Sequence, residues 1–173
     1  MKLRWPEFLR WPSFRSAVPD DQAPLPARDE LQCWWRRTAA GIVAEDVTDA
    51  QIRAPEARYD VVLPEDFRDY LRCSSPVEFN LDEHFGNWWG IREIKNIPDE
   101  WGPEIGPLVP GRADQYLFFL DHCFWAWAWA ISCADDESRG KVVLIAGIEH
   151  DKVVADSFTD FVRKYTRSWG DVL

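Results

Sequence analysis

The order of structural signals along the chain predicts an α+β fold: a largely antiparallel sheet with helices packed on one side. Three observations carry that expectation. Helix signals fill the segments that precede residue 73. Strand-like runs at 115–121, 124–131 and 141–146 then follow one another. A last helical pattern closes the chain over 156–168, and its apolar stripe must be buried on the sheet.

Taken in order, Asp29 is placed to cap a helix over 29–44, with Leu31, Trp34, Trp35 and Thr38 close to one face. Thr48-Asp49-Ala50-Gln51 fits a capping box. Pro55 falls inside the helix that this box would start. An internal proline removes a hydrogen bond and clashes with the preceding turn, at about 3 kcal/mol. A kink is therefore expected there, or a short turn that restarts with Pro55 at its first position. Leu63-Pro64 ends an apolar run and opens the next helix, which reaches about Arg72. Proline suits a first helical position, Glu65 and Asp66 suit the positive end of the dipole, and Phe67, Tyr70 and Leu71 form one apolar face. Cys73-Ser74-Ser75-Pro76 reads as a turn and 77–80 as a short strand. Residues 88–94 read as extended or loop-like, and 98–101 as a helical turn. Residues 102–113 carry three glycines and three prolines and form an irregular connection.

The sheet core comes next. Residues 115–121 alternate too little to be half exposed. Residues 124–131 alternate cleanly: Trp125, Trp127, Trp129 and Ile131 point one way, Phe124, Ala126, Ala128 and Ala130 the other. An alanine face lets a helix approach closely; a tryptophan face covers a large area by itself. Residues 135–140 are a charged, glycine-ended turn, and 141–146 a returning strand rich in valine and isoleucine. Glu149-His150-Asp151 reads as a solvated hairpin turn between Ile148 and Val153. Ser157-Phe158-Thr159-Asp160 then caps the last helix, whose Phe158, Phe161, Val162 and Tyr165 face the sheet.

At 173 residues the chain divides into a proline- and tryptophan-rich N-terminal arm, 1–27, and a single domain, 28–173. The arm holds a small repeat, Trp5-Pro6-Glu7-Phe8 and Trp11-Pro12-Ser13-Phe14. Its aromatics pack on their own domain or dock on another subunit. A domain of this size buries roughly 70% of its unfolded surface without disulfides. Eleven tryptophans must fill a core or a binding face. The net charge of −10 excludes nucleic acid and anionic membrane as natural partners, because phosphate recognition needs clustered Lys and Arg. The same charge suits plain solubility, and it suits a basic protein partner. Cysteines 33, 73, 123 and 133 form no C-x-x-C pair and read as reduced, mostly buried thiols. The first 27 residues are broken by prolines and carry no signal-peptide apolar core, and no run approaches eighteen apolar residues. The cytoplasm is the expected compartment.

One set of residues is more specific. Ile52…Glu56-Ala57-Arg58-Tyr59 precedes Leu63-Pro64-Glu65-Asp66-Phe67-Arg68-Asp69-Tyr70-Leu71. Downstream stand Trp88-Trp89, Tyr116-Leu117-Phe118-Phe119-Leu120-Asp121, the Phe124–Ile131 run and Asp156-Ser157-Phe158-Thr159-Asp160-Phe161-Val162. In this order and at these separations the chain, over roughly 48–166, resembles the SUKH superfamily, named after yeast cell-wall-assembly regulators of the Smi/Knr type. That resemblance implies a SUKH-like α+β domain and a non-enzymatic, protein-binding role. Many bacterial members are immunity proteins that neutralise polymorphic toxins. Two departures stand out. The Asn-Gly turn usual after the family's Leu-Pro helix is replaced by 73–76, and Pro55 stands where an apolar residue precedes the Glu56 position.

Catalytic chemistry finds little support. Asp121-His122-Cys123 puts three capable residues in a row, but neighbours on a strand point to opposite faces. His84, His122, His150 and the four cysteines show no zinc-ligand spacing, and there is no Walker loop, G-x-G-x-x-G or G-x-S-x-G. No catalytic, metal or cofactor residue is assigned. The expected partner face is instead built on Trp88 and Trp89, one of which an extended backbone should leave exposed, with Glu83, Asp135, Asp136 and Glu137 as an acidic rim. The partner expected for an immunity protein is a toxin, a basic nuclease among the candidates, held by occlusion of its site. An adaptor that binds an endogenous protein is the alternative, and a hydrolase using Asp121 and His122 a third.

Overall fold

The structure, a computed structural model, describes residues 25–38, 40–102, 109–147 and 150–173. The Trp-Pro-x-Phe repeat and most of the expected arm lie outside those residues. Among the described residues the order is α1 (Ala27–Arg37), β1 (Ala44–Glu45), α2 (Asp49–Tyr59), α3 (Glu65–Ser74), β2 (Ser75–Pro76), β3 (Gly86–Trp88) and α4 (Ile97–Trp101). A 3-10 turn, Ala113–Gln115, leads into β4 (Tyr116–His122), β5 (Trp127–Ser132), β6 (Val142–Ile145), β7 (Lys152–Ala155) and α5 (Phe158–Arg167), and the 3-10 segment Trp169–Val172 follows. β3 to β7 form one antiparallel meander in chain order, and β1 pairs with β2 in a small separate ribbon. This is the predicted α+β class.

The helices differ from expectation mainly at their ends. Pro26, not Asp29, occupies the N-cap of α1, and Asp29 and Glu30 lie in its first turn. The helix stops at Arg37 rather than near Ala44. Thr38 folds its hydroxyl back onto the Trp34 carbonyl at 2.9 Å, and Gly41 adopts a left-handed φ of 68° that a helix cannot use. α2 has both halves of its capping box: Gln51 N–H donates to Thr48 and Thr48 N–H to Gln51. It runs continuously through Pro55, so no restart occurs there. The proline ring is buried, and that burial offsets the lost hydrogen bond.

α3 begins one residue after Pro64, which caps it, and continues to Ser74. Gln32 of α1 closes its last turn, donating to the Cys73 carbonyl at 3.0 Å and to the Ser74 hydroxyl at 2.7 Å. The chain then enters β2 directly. The turn expected at 73–76 and the strand expected at 77–80 are both corrected by this longer helix. Glu56 fixes the α2–α3 corner by accepting from Leu63 N–H and pairing with Arg68. Asp66 reaches across to accept from the Thr159 N–H and hydroxyl at the start of α5.

α5 carries Ser157 as its cap and lays Phe158, Phe161, Val162 and Tyr165 on the sheet, as its pattern predicts. The sheet face beneath it presents Trp88, Phe119 and Trp129. α1, α3 and α5 therefore sit on the Trp129 face of β5, whereas α4 brings Trp101 to the alanine face, where Trp125 also lies instead of beside Trp127 and Trp129. The alanine face, with Ala128 and Ala130 fully buried, lies under a second aromatic layer of Trp89, Trp101, Phe118 and Trp125. Lys164 of α5 donates to the Val154 carbonyl on the terminal strand β7 at 3.0 Å.

Two glycines record how closely these layers approach. A Cβ at Gly86 would stand 2.2 Å from the Tyr165 hydroxyl, and one at Gly90 would stand 2.0 Å from the Pro76 carbonyl oxygen. At Gly90 both parties are backbone, so nothing can swing aside. Gly90→Ala is expected to destabilise the protein by about 2 kcal/mol or more, read as a lower urea midpoint. An unchanged midpoint would mean that β2 and the 90–93 loop separate freely.

Candidate functional site

The expected tryptophan pair does not form a surface. Trp88 is 1% exposed and Trp89 is 6% exposed. They point to opposite faces, as extended backbone requires, but both faces are covered. Trp88 lies under α5 with its indole N–H donating to Asp82 at 2.7 Å. Trp89 lies in the second aromatic layer with its N–H donating to Asp121 at 2.8 Å. The acidic rim divides as well. Gly86 pairs with His122 and Tyr116 with Ser132, so Glu83 and the exposed 135–137 turn lie at opposite ends of β4. Seven residues of strand separate them by about 20 Å. Asp136 also caps its own turn, accepting from the Ser138 N–H and hydroxyl, and these bonds hold its carboxyl below the usual range.

What the surface does offer lies at the other end of the hairpin. β5 starts at Trp127, three residues later than the alternation suggests. Residues 123–126 form a turn in which Cys123, Phe124 and Trp125 all adopt left-handed backbone, with φ of 49°, 58° and 67°. Phe85, whose carbonyl accepts from Cys123 N–H at 3.0 Å, is left-handed too, with φ of 58°. None of the four is glycine or asparagine. Each such residue costs roughly 1–2 kcal/mol, so the surroundings must over-determine the conformation. They do. Ala126 N–H donates to the His122 carbonyl at 2.9 Å, closing the turn. His122 stacks on Trp127 at 4.0 Å across its base. Trp125 is clamped by Phe118 at 5.2 Å and Trp89 at 5.4 Å. On the facing loop, Asp82 accepts from the His84 and Gly86 N–H groups and folds the chain so that Phe85 points out.

The outcome is an aromatic surface. Phe124 is 73% exposed, Phe85 54% and Phe79 53%. The Phe79 and Phe124 rings lie near-parallel, 20° apart with centroids 5.9 Å from each other. Val77, Glu78, Glu83 and Cys123 are exposed around them. Neither 73–91 nor the β4–β5 hairpin that carries Phe124 contains a lysine or arginine, although the chain has twenty. Sequence reasoning placed Phe79 and Phe124 in strands and passed over Phe85. The missing basic residues were the signal that pointed here.

Asp121 and His122 do not converge. Asp121 accepts from Asn87 and Trp89 on the alanine face, while His122 lies against Trp127 and Trp169 on the other. Both stand in β4. Cysteine burial is also corrected: Cys33 and Cys123 are exposed, Cys73 is half-buried and only Cys133 is buried, its thiol pushed up to about 12 by that burial. Among the described residues no group of three or more His, Cys, Asp or Glu lies together as a metal site would require, and no helix is long and apolar enough to cross a membrane. The Asp82 carboxyl is pushed up by burial and pulled down by its donors: Tyr165, Gly86, Trp88 and His84.

The described residues thus form an antiparallel sheet covered on both faces, with an exposed aromatic surface at one end of the β4–β5 hairpin. The SMI1 / KNR4 family (SUKH-1) model matches residues 46–164, more than half of the chain, and the chain belongs to that family. No curated protein matches it.

Two predictions follow from this geometry. Phe124 is mostly solvent-facing and strained, so Phe124→Gly should raise the unfolding free energy by about 1 kcal/mol; denaturant titration that shows a loss would mean the ring is held by more than Phe79. The second concerns pH. His84 lies among Trp34, Tyr165 and Trp169, and His122 between Trp127 and Trp169. Burial lowers both imidazoles; Asp82 and Glu83 oppose this at His84, and Asp121 at His122. The unfolded chain therefore holds more protons below the free value near 6.5, and this stability is lost as pH falls through that window. The melting temperature should drop between pH 7 and 5.5, and a His84→Asn, His122→Asn variant should show a flatter profile.

Proposed function

We propose that this SUKH-family chain is a protein-binding domain of the immunity type, which neutralises a cognate toxin by covering the toxin's functional surface. The observation that carries the reading is the Phe79, Phe85 and Phe124 surface on a turn held in place at a cost in backbone strain. Exposed aromatics on rigid backbone are what binding hot spots require, because little ordering is left to do on contact. The net charge of −10 supports a basic partner. In this reading the distant Asp135, Asp136 and Glu137 turn steers the encounter rather than touching the partner. The cytoplasm, where an incoming nuclease would act, is the compartment the reading requires. Family membership supports a protein partner of some kind.

The test pairs the chain with the product of a toxin gene found adjoining its own. Co-expression should restore growth to cells that carry the toxin. Phe124→Ala keeps the same backbone strain and should fold normally, yet weaken binding about 30-fold, equivalent to about 2 kcal/mol at a hot spot. Reversing the 135–137 charges should slow association at low salt and leave dissociation unchanged. Wild-type affinity in Phe124→Ala would remove the aromatic surface as the binding face. Growth rescue failing while an endogenous protein binds the same surface would make the chain an adaptor instead.

A further inference from the structure

We infer that the ledge made by Phe79 and Phe124 receives an arginine side chain of the partner, with Glu78 and Glu83 as its counter-charges; the inference rests on reading this surface as the binding face. Three features on the molecule select that occupant. The first is shape. The two rings lie within 20° of parallel with centroids 5.9 Å apart, and each is more than half exposed. The rings are stacked on each other rather than side by side, so an arriving group meets the open outer face of Phe124, the more exposed of the two. A guanidinium is planar and weakly hydrated and stacks on such a face, whereas an ammonium is a compact, strongly hydrated point charge.

Charge is the second feature. Glu78 precedes Phe79 directly, and Glu83 sits on the loop whose Phe85 carbonyl bonds the Cys123 N–H. Both carboxylates are exposed, and among the described residues neither has a salt-bridge partner. No lysine or arginine lies in 73–91 or 113–138 to compete for them. An apolar side chain from the partner would use the rings and leave both exposed carboxylates unmatched. The third feature is rigidity. Trp125 is locked under the turn by Phe118 and Trp89, so Phe124 is presented to solvent before any partner arrives.

The experiment is a titration of the full chain, followed by amide NMR, with three blocked tripeptides: tri-arginine, tri-lysine and tri-citrulline. Citrulline keeps the planar side chain and removes its charge. Tri-arginine should shift the amides of Phe79, Cys123 and Phe124 and saturate in the millimolar range. Tri-lysine should bind at least threefold more weakly and tri-citrulline at least tenfold. Phe124→Ala and the Glu78→Gln, Glu83→Gln variant should each lower tri-arginine affinity severalfold, with melting temperatures unchanged. Equal binding of tri-citrulline, or shifts confined to the 135–137 turn, would overturn the inference. A blocked Leu-Phe-Leu tripeptide separates the two levels of the argument. If it shifts the surface amides and tri-arginine does not, the binding face stands and the arginine assignment falls. If the cognate partner binds Phe124→Ala like wild type, the binding face itself falls and the assignment with it.

Discussion

The Asp82 carboxylate accepts four hydrogen bonds from three separate parts of the chain. Two come from its own loop, the His84 and Gly86 N–H groups at 2.8 and 2.9 Å. One comes from the Trp88 indole on β3 and one from the Tyr165 hydroxyl on α5, both at 2.7 Å. Burying a carboxylate is expensive unless every lone pair is met, and here donors surround it. The geometry leaves little freedom. Tyr165 can reach Asp82 only because Gly86 lacks a side chain, and Trp88 can reach it only from inside the core. Edge strand, terminal helix and the loop that displays Phe85 are thus fixed relative to one buried charge.

A second carboxylate plays a matching part on the other face of the sheet. Asp121 gathers Asn87 and Trp89 beneath Trp125. The described tryptophans are therefore divided between two layers, and in each a buried carboxylate meets one indole N–H, Asp82 that of Trp88 and Asp121 that of Trp89. That division explains why neither Trp88 nor Trp89 reaches solvent. It also explains why the aromatic surface falls to phenylalanine, which has no polar atom to satisfy and can be displayed by backbone geometry alone.

Much of the scaffold was legible in the sequence because it is locally encoded. The capping box at Thr48, the apolar stripe of α5 and the valine-rich β6 obey short-range rules and appear where those rules place them. Features decided by tertiary contacts were not legible. α3 runs on to Ser74 because Gln32, some forty residues earlier, closes it. Pro55 stays inside α2 because its ring is buried there. The left-handed turn was hidden for a sharper reason. Cys123-Phe124-Trp125 contains none of the residues that favour positive φ, so its conformation is imposed from outside. Without it, the alternation of 124–131 reads as unbroken strand.

The ammonium of Lys164, resting on the Val154 carbonyl, bears on how this molecule can meet others. β7 is the last strand of the meander, four residues long, with a register shift where it meets β6. Such an edge resists addition of a further strand. At the opposite edge, β3 is flanked by Leu81, paired with Asn87, and by the Asp82 N–H on the Gly86 carbonyl. With both margins obstructed, the main chain is a poor template for a visiting peptide. Recognition is left to side chains, which read the identity of a partner where a backbone ladder would accept almost any extended segment. A sheet finished in this way favours discrimination between related partners over promiscuous capture.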